Sequence, residues 1–163
     1  MKVSSGAENT LFEKEVIGLK ELRNNISDIF DRASNNFEEI LTGNVKKGGH
    51  TVSIISTDLL CTLLESYKFN PVITFDEKTN QYEILINEIG AVGCGDSKEE
   101  ALEMAVDNTL ALAEDFFDEL ELYMRIDKYK KQHPYFMRIN HCNTKKALLV
   151  VLGLEEIFLS EGN

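Results

Sequence analysis

Ile89-Gly90-Ala91-Val92-Gly93-Cys94-Gly95-Asp96-Ser97-Lys98-Glu99-Glu100-Ala101-Leu102 is the stretch on which the fold turns. Its first part, residues 89–94, is Gly-rich and extended and ends in Gly95-Asp96. Ser97-Lys98-Glu99-Glu100 has the pattern of a capping box, in which Ser97 can accept from an orphan amide of a first helical turn while Glu100 reaches back to the amide of Ser97. A long helix is predicted from there: Ala101, Leu102, Ala105, Leu112, Ala113, Phe116, Phe117 and Leu120 form one stripe, and the period persists into Leu122, Tyr123 and Ile126. Upstream, Asn70-Pro71 favours an extended chain. Val72, Thr74 and Asp76 alternate with Ile73 and Phe75, and Tyr82, Ile84 and Ile86 alternate with Glu83, Leu85 and Asn87, with Glu77-Lys78-Thr79-Asn80 as the hairpin turn between them. The second half therefore reads as three strands followed by a helix. Beyond Lys131, Pro134 can open a short helix at its first position, Asn143 can cap another that Gly153 closes, and the apolar tail 154–159 can dock on something, including a second subunit.

The first half reads differently. Residues 1–10 are polar and aperiodic, a loose end. Val16-Ile17 is a short strand candidate, after which Leu19, Leu22, Ile26, Ile29, Phe30 and Ala33 recur as one helical face, ending in the polar cluster at 34–36. Strands are predicted at 39–42 and 51–55, joined by Gly43-Asn44-Val45-Lys46-Lys47-Gly48-Gly49-His50, a hairpin with a cationic tip. Ser56, Thr57 and Asp58 offer N-cap oxygens to a helix carrying Leu59, Leu60, Leu63, Leu64 and Tyr67.

Composition narrows the function classes. The chain has 163 residues, of which 43% are hydrophobic, and 17 Lys plus Arg against 28 Asp plus Glu give a net charge of −11. A charge of that sign opposes sequence-independent binding to phosphates. It is unevenly spread: residues 1–69 carry 8 basic and 10 acidic groups, and residues 70–163 carry 9 and 18. The first segment keeps room for a local basic surface, and the second suits a basic partner. Cys61, Cys94 and Cys142 are odd in number and form no CxxC pair, so a reducing compartment, the cytoplasm, is expected. No segment has the length of a membrane span.

Residues 16–67 resemble the Phd/YefM antitoxin fold, through the order short strand, Leu22-Arg23-Asn24-Asn25-Ile26 helix, hairpin, and Thr51-Val52-Ser53-Ile54-Ile55-Ser56-Thr57-Asp58-Leu59-Leu60 running into a helix. That resemblance implies a unit that dimerises through its sheet and presents its first helix and basic hairpin to operator DNA. Arg23 matches the family's DNA-contacting helix arginine, with Asn24 beside it. Lys20 stands where a capping Ser is usual and Gly43 where a hairpin arginine is common; Lys46, Lys47 and His50 can replace that charge. Residues 71–120 are similar to the HicB antitoxin domain, through Tyr82, the Gly-Asp-Ser turn and Glu99-Glu100-Ala101-Leu102. HicB domains bind and block a small basic ribonuclease toxin.

Nine acids face one base, Lys98, between residues 98 and 121. Those in the first turn suit the helix macrodipole, but Glu114, Asp115, Asp118, Glu119 and Glu121 lie far down the helix and offer a surface complementary to a basic protein. Arg23, Lys20, Lys46 and Lys47 can reach phosphates or base edges. The cysteines and His50, His133 and His141 lack zinc spacing, and the 43–49 loop lacks the phosphate-loop pattern. No metal or cofactor is expected. The expectation is an α+β protein of two units: residues 1–69, Phd/YefM-like with short strands and two helices, for dimerisation and DNA binding; and residues 70–163, a βββα HicB-like unit with a helical extension, for toxin binding. Its function would be that of a non-catalytic antitoxin, a homodimer that sequesters a basic toxin, a ribonuclease, and represses its own promoter. The alternatives are an orphan dimeric regulator and a small hydrolase using Cys94 or Cys142.

Overall fold

A computed structural model describes residues 15–44 and 49–159. Lys46 and Lys47, the tip of the expected hairpin, lie outside the described residues. The fold is mixed α and β, with two three-stranded sheets and, among the described residues, eight helices. The chain divides into two compact units, the first through Thr62 and the second from Leu63.

In the first unit, β1 (Val16–Gly18) lies parallel to β2 (Ile40–Gly43), which pairs antiparallel with β3 (Thr51–Ile54). A parallel pair needs a crossover, here α1 (Leu19–Asn24) and α2 (Ile26–Asn35). The single helix expected over this stretch is broken at Asn25, whose backbone (φ −122°, ψ 27°) leaves the helical region. Its N–H bonds back to the carbonyls of Glu21 and Leu22 while its own carbonyl accepts from Ile29 N–H, so one Asn ends one helix and starts the next. Asn competes with helical backbone through local hydrogen bonds, and two stand here in succession. The break splits the apolar stripe: Ile29 and Ala33 are buried with Ile17 and Ile40, whereas Leu19, Ile26 and Phe30 stay exposed. The parallel pair is reinforced by the buried Thr42 hydroxyl of β2, which donates to the Ile17 carbonyl of β1 at 2.9 Å. Gly43 is held small by its partner strand, because a Cβ there would meet the His50 carbonyl at 3.0 Å. Helix α3 (Thr57–Leu64) follows, and Ser56 Oγ accepts from Leu59 N–H at its start.

The second unit is built on β4 (Val72–Asp76), β5 (Gln81–Ile86) and β6 (Ala91–Gly95), an antiparallel meander in sequence order. Helix α4 (Lys98–Asp118) packs across β5 and β6. The close approach is a matter of residue size: a Cβ on Gly95 would fall 2.6 Å from Ala101 N. Ile84, Ile86, Ala101, Leu102, Ala105 and Phe116 sit at the centre of the resulting core. The capping box forms with a shift of one residue: Ser97 Oγ accepts from Glu100 N–H at 3.1 Å as expected, but the Glu100 carboxylate accepts from Asp96 N–H, at 3.0 Å, and not from Ser97.

Three expectations downstream are corrected. The long helix stops at Asp118, and α5 (Leu120–Tyr123) restarts after Glu119, whose φ of −109° and ψ of 28° leave the helix. The last turn of α4 carries carboxylates and no base, so its side chains oppose the negative end of the helix dipole. Pro134 lies inside α6 (Asp127–Asn140) and not at its first position. An interior Pro costs about 3 kcal/mol; burial of Phe136 and Ile139 and the packing of Tyr129 on Tyr123 offset it. Helix α7 (Lys145–Leu152) is capped by Thr144, which accepts from Ala147 N–H at 3.1 Å, and not by Asn143. Gly153 closes it as expected with φ 71°, and Leu154 N–H returns to the Leu149 carbonyl. Leu154 is buried and α8 (Glu155–Leu159) packs on α4 and α7, so the apolar tail is used within its own unit.

Candidate functional site

Two surfaces, one on each unit, carry the charged side chains that the sequence pattern singles out. On the first unit, Lys20, Arg23 and Asn24 all lie in α1 and are exposed. Spacings of three and four residues place them on one helical face. None of the three is in an ion pair with another described residue. Arg32, one helix further on, is different. Its Nε donates to the Glu38 carboxylate at 2.9 Å, a second guanidinium nitrogen stands 2.9 Å from the same carboxylate, and Asp28 lies 4.0 Å away. The hydrogen bond from Arg32, followed by one from Asn36, holds the Glu38 carboxyl below its ordinary range. Arg32 is thus committed to closing α2, and Arg23 is free to meet something else. Sequence spacing alone does not separate these two arginines; the turn geometry after α2 does.

That turn contains a residue the sequence reading missed. Phe37 has φ 56°, in the left-handed region where Gly or Asn is usual, and 57% of it is exposed. A bulky side chain there carries strain. Leu19, Ile26, Phe30 and Val52 are exposed on the same unit, Phe30 at 67%.

On the second unit, Glu114, Asp115, Asp118, Glu119 and Glu121 are all exposed. The first three occupy the last turns of α4, Glu119 its C-cap and Glu121 helix α5. Glu121 is paired with Arg125. Among the described residues the other four have no cationic partner, and the last turn of α4 holds no base. The buried face of the same helix end is aromatic: Phe116 stacks on Phe136 at 4.4 Å and on His133 at 5.7 Å. Burial in that stack pushes the His133 imidazolium pKa down. Acids at the N-terminal end of α4 have local uses, Glu100 in the cap and Glu103 3.8 Å from Lys145. The C-terminal acids do not.

Among the described residues, no group of His, Cys, Asp and Glu side chains gathers as a metal site would require, and no helix is long and apolar enough to cross a membrane. Cys61, Cys94 and Cys142 are not joined in disulfides, and Cys142 donates to the Arg138 carbonyl at 3.3 Å.

The described residues of this α+β chain thus include two exposed basic side chains on α1 and an acidic C-terminal end of α4. The structure is similar to a crystal structure from Syntrophomonas wolfei subsp. wolfei described as an antitoxin part of a proposed toxin/antitoxin system, with a TM-score of 0.70 and 18% identity over 86% of this chain and 95% of the other, a likeness of fold. No protein among those with curated function matches the sequence. A family model matches residues 14–153, running through both units, and its description is antitoxin of toxin-antitoxin, RelE / RelB, TA system. The protein is thus an antitoxin of a toxin–antitoxin system, which implies a cognate toxin. The chain belongs to the PHD_like family.

Proposed function

We propose that the second unit neutralises a basic toxin, a ribonuclease, by holding it against the acidic end of α4, and that the first unit binds operator DNA as a homodimer and represses the antitoxin's own promoter. The observation that carries the toxin surface is the run of Glu114, Asp115, Asp118 and Glu119, exposed and unpaired among the described residues at the negative end of a helix dipole. Acids placed there destabilise the free helix slightly. A cationic partner reverses that penalty and is steered toward it. Glu121 extends the surface, shared with Arg125.

DNA contact is assigned to Lys20, Arg23 and Asn24, and also to Lys46 and Lys47, which lie outside the described residues. Two protomers double the number of phosphate contacts, so a chain that is acidic overall can still bind DNA with a steep salt dependence. Dimerisation is supported by the size of the first unit's core, four buried apolar residues among those described, set against the exposed Leu19, Ile26, Phe30 and Val52. So small a core leaves a unit marginal by itself. The likeness of the first unit to Phd/YefM antitoxins and of the second to HicB domains points the same way.

Co-expression with the basic protein encoded beside it, followed by affinity purification, tests the toxin assignment. Copurification that Asp115→Lys, Asp118→Lys and Glu119→Lys together abolish is expected. Undiminished copurification would reject the surface.

A further inference from the structure

The two edges of the second unit's sheet are treated differently. At β6, the Val92 carbonyl accepts from the Asn108 side chain at 2.6 Å and Cys94 N–H donates to the Met104 sulfur at 3.3 Å, so side chains of α4 close that edge. Those bonds also fix the hydrogen-bonding parity of the sheet. In an antiparallel ladder alternate residues bond to opposite sides. Val92 and Cys94 point away from β5, so Ala91, Gly93 and Gly95 bond to Ile86, Ile84 and Tyr82. Glu83 and Leu85 are left to bond Thr74 and Val72. The main-chain groups of Ile73 and Phe75 therefore face outward along β4, where every residue is exposed.

Edge strands normally block further pairing with a Lys, an inward charge, a bulge or a Pro. β4 has none of these between Val72 and Phe75, and its one charge, Asp76, is at the end. Ile73 is 41% and Phe75 47% exposed although both lie on the face that α4 covers further along the sheet, in line with Ile84 and Tyr82. The face is built for more strand than the unit supplies.

We propose that β4 pairs antiparallel with β4 of a second copy of this chain, about a two-fold axis through Thr74, joining two sheets into one of six strands. The register follows from the parity. Centred on Thr74, Ile73 of each copy lies opposite Phe75 of the other, and every outward N–H and C=O of both residues finds a partner. Centred on Ile73, Phe75 would face Pro71, which has no N–H to give; centred on Phe75, Ile73 would face Glu77, beyond the end of the strand. In the Thr74 register the apolar pair Ile73–Phe75 continues the α4 face, and the two Thr74 side chains meet on the other, a favourable cross-strand pair. Charge fits as well. Asp76 comes opposite Val72 and meets no acid, while Lys78 comes opposite Asn70, whose main-chain N–H is held by the Glu88 carboxylate at 3.0 Å. This contact is separate from the one proposed for the first unit, and a chain with two self-associating surfaces forms assemblies larger than a dimer.

Thr74 opposite itself is a non-hydrogen-bonded pair, with Cα atoms about 4.5 Å apart and side chains close enough for a disulfide. Full-length Thr74→Cys under mild oxidation, mapped by mass spectrometry, is expected to give a 74–74 linkage, and Val72→Cys, which faces Asp76, is expected to lose any 72–72 linkage. In the unmodified protein, hydrogen exchange at the Ile73 and Phe75 amides should slow by at least about tenfold between dilute and concentrated samples. Absence of the 74–74 linkage, or exchange at these amides that ignores concentration, overturns the proposal. Protection that arises only when the toxin is added also overturns it, giving the edge to a strand of the toxin.

Discussion

Gly93 on β6 and Ala105 on α4 stand so close that a Cβ on the glycine would fall 2.7 Å from the Cα of the alanine. Real Cβ atoms do not approach backbone in this way, so the helix can lie on the sheet only because position 93 has no side chain. Gly93→Ala is expected to force α4 outward and to destabilise the second unit by about 2–3 kcal/mol, the cost of overpacking a close-packed core. Urea unfolding followed by circular dichroism measures it, and a loss below about 0.5 kcal/mol would show that the helix can yield.

Ser97 closes the first turn of α4 by accepting from Glu100 N–H. Ser97→Ala should cost about 1 kcal/mol, and Ser97→Asp should retain most of the stability. Equal melting temperatures for all three would remove the cap from the account.

The acidic end of α4 is expected to show opposite effects in the free and bound protein. Lys at Asp115, Asp118 or Glu119 should raise the stability of the free chain by about 0.3–1 kcal/mol each, by complementing the dipole. The same substitutions should weaken the toxin complex. A calorimetric melt and a titration on one set of variants decide it: loss of both stability and binding would mean these residues are simply structural.

The two arginines of the first unit should separate. Arg23→Ala is expected to abolish operator binding with little change in stability. Arg32→Ala removes the solvent-exposed pair with Glu38 and should leave DNA affinity near its original value. Fluorescence anisotropy with labelled operator DNA across a salt series reads both, and equal losses for the two variants would refute the assignment.

His133 makes stability depend on pH with a definite sign. Its folded pKa lies below the ordinary 6.5 because burial beside Phe116 disfavours the charged ring. The unfolded chain therefore takes up the proton first. The contribution is fully present above pH 6.5 and is lost as pH falls through the lower folded pKa. Melting temperatures from about pH 7.5 down to 5 should fall in the original protein and fall less in His133→Phe, whose ring keeps the stack. Parallel curves would place the pH dependence elsewhere.

The second unit's core was legible because its signals are local. Alternation over 72–76 and 81–86, the Gly-Asp-Ser turn and the cap at Ser97 each state an element within a few residues of sequence, and all appear in the fold. What the sequence hid were helix interruptions and the tail's destination. Asn25 and Glu119 fall inside patterns that remain periodic across them, so apolar spacing cannot mark the break, which shows only in their backbone angles. Pro134 is the converse, a strong local stop signal overridden by the burial of Phe136 and Ile139. Of the candidate surfaces, the spacing of Lys20, Arg23 and Asn24 was visible, as was the acidic run. Invisible were the engagement of Arg32 with Glu38 across a turn and the left-handed Phe37, because both depend on how α2 ends.

Among the described residues, the core of the first unit holds four buried apolar side chains, Ile17, Ile29, Ala33 and Ile40. An interior of that size is cheap to open, because opening it exposes little apolar surface. Such a segment is cleaved by proteases in proportion to the time it spends open. Abundance of the antitoxin would then track its own association: scarce copies are degraded first, and the surviving pool is the assembled one.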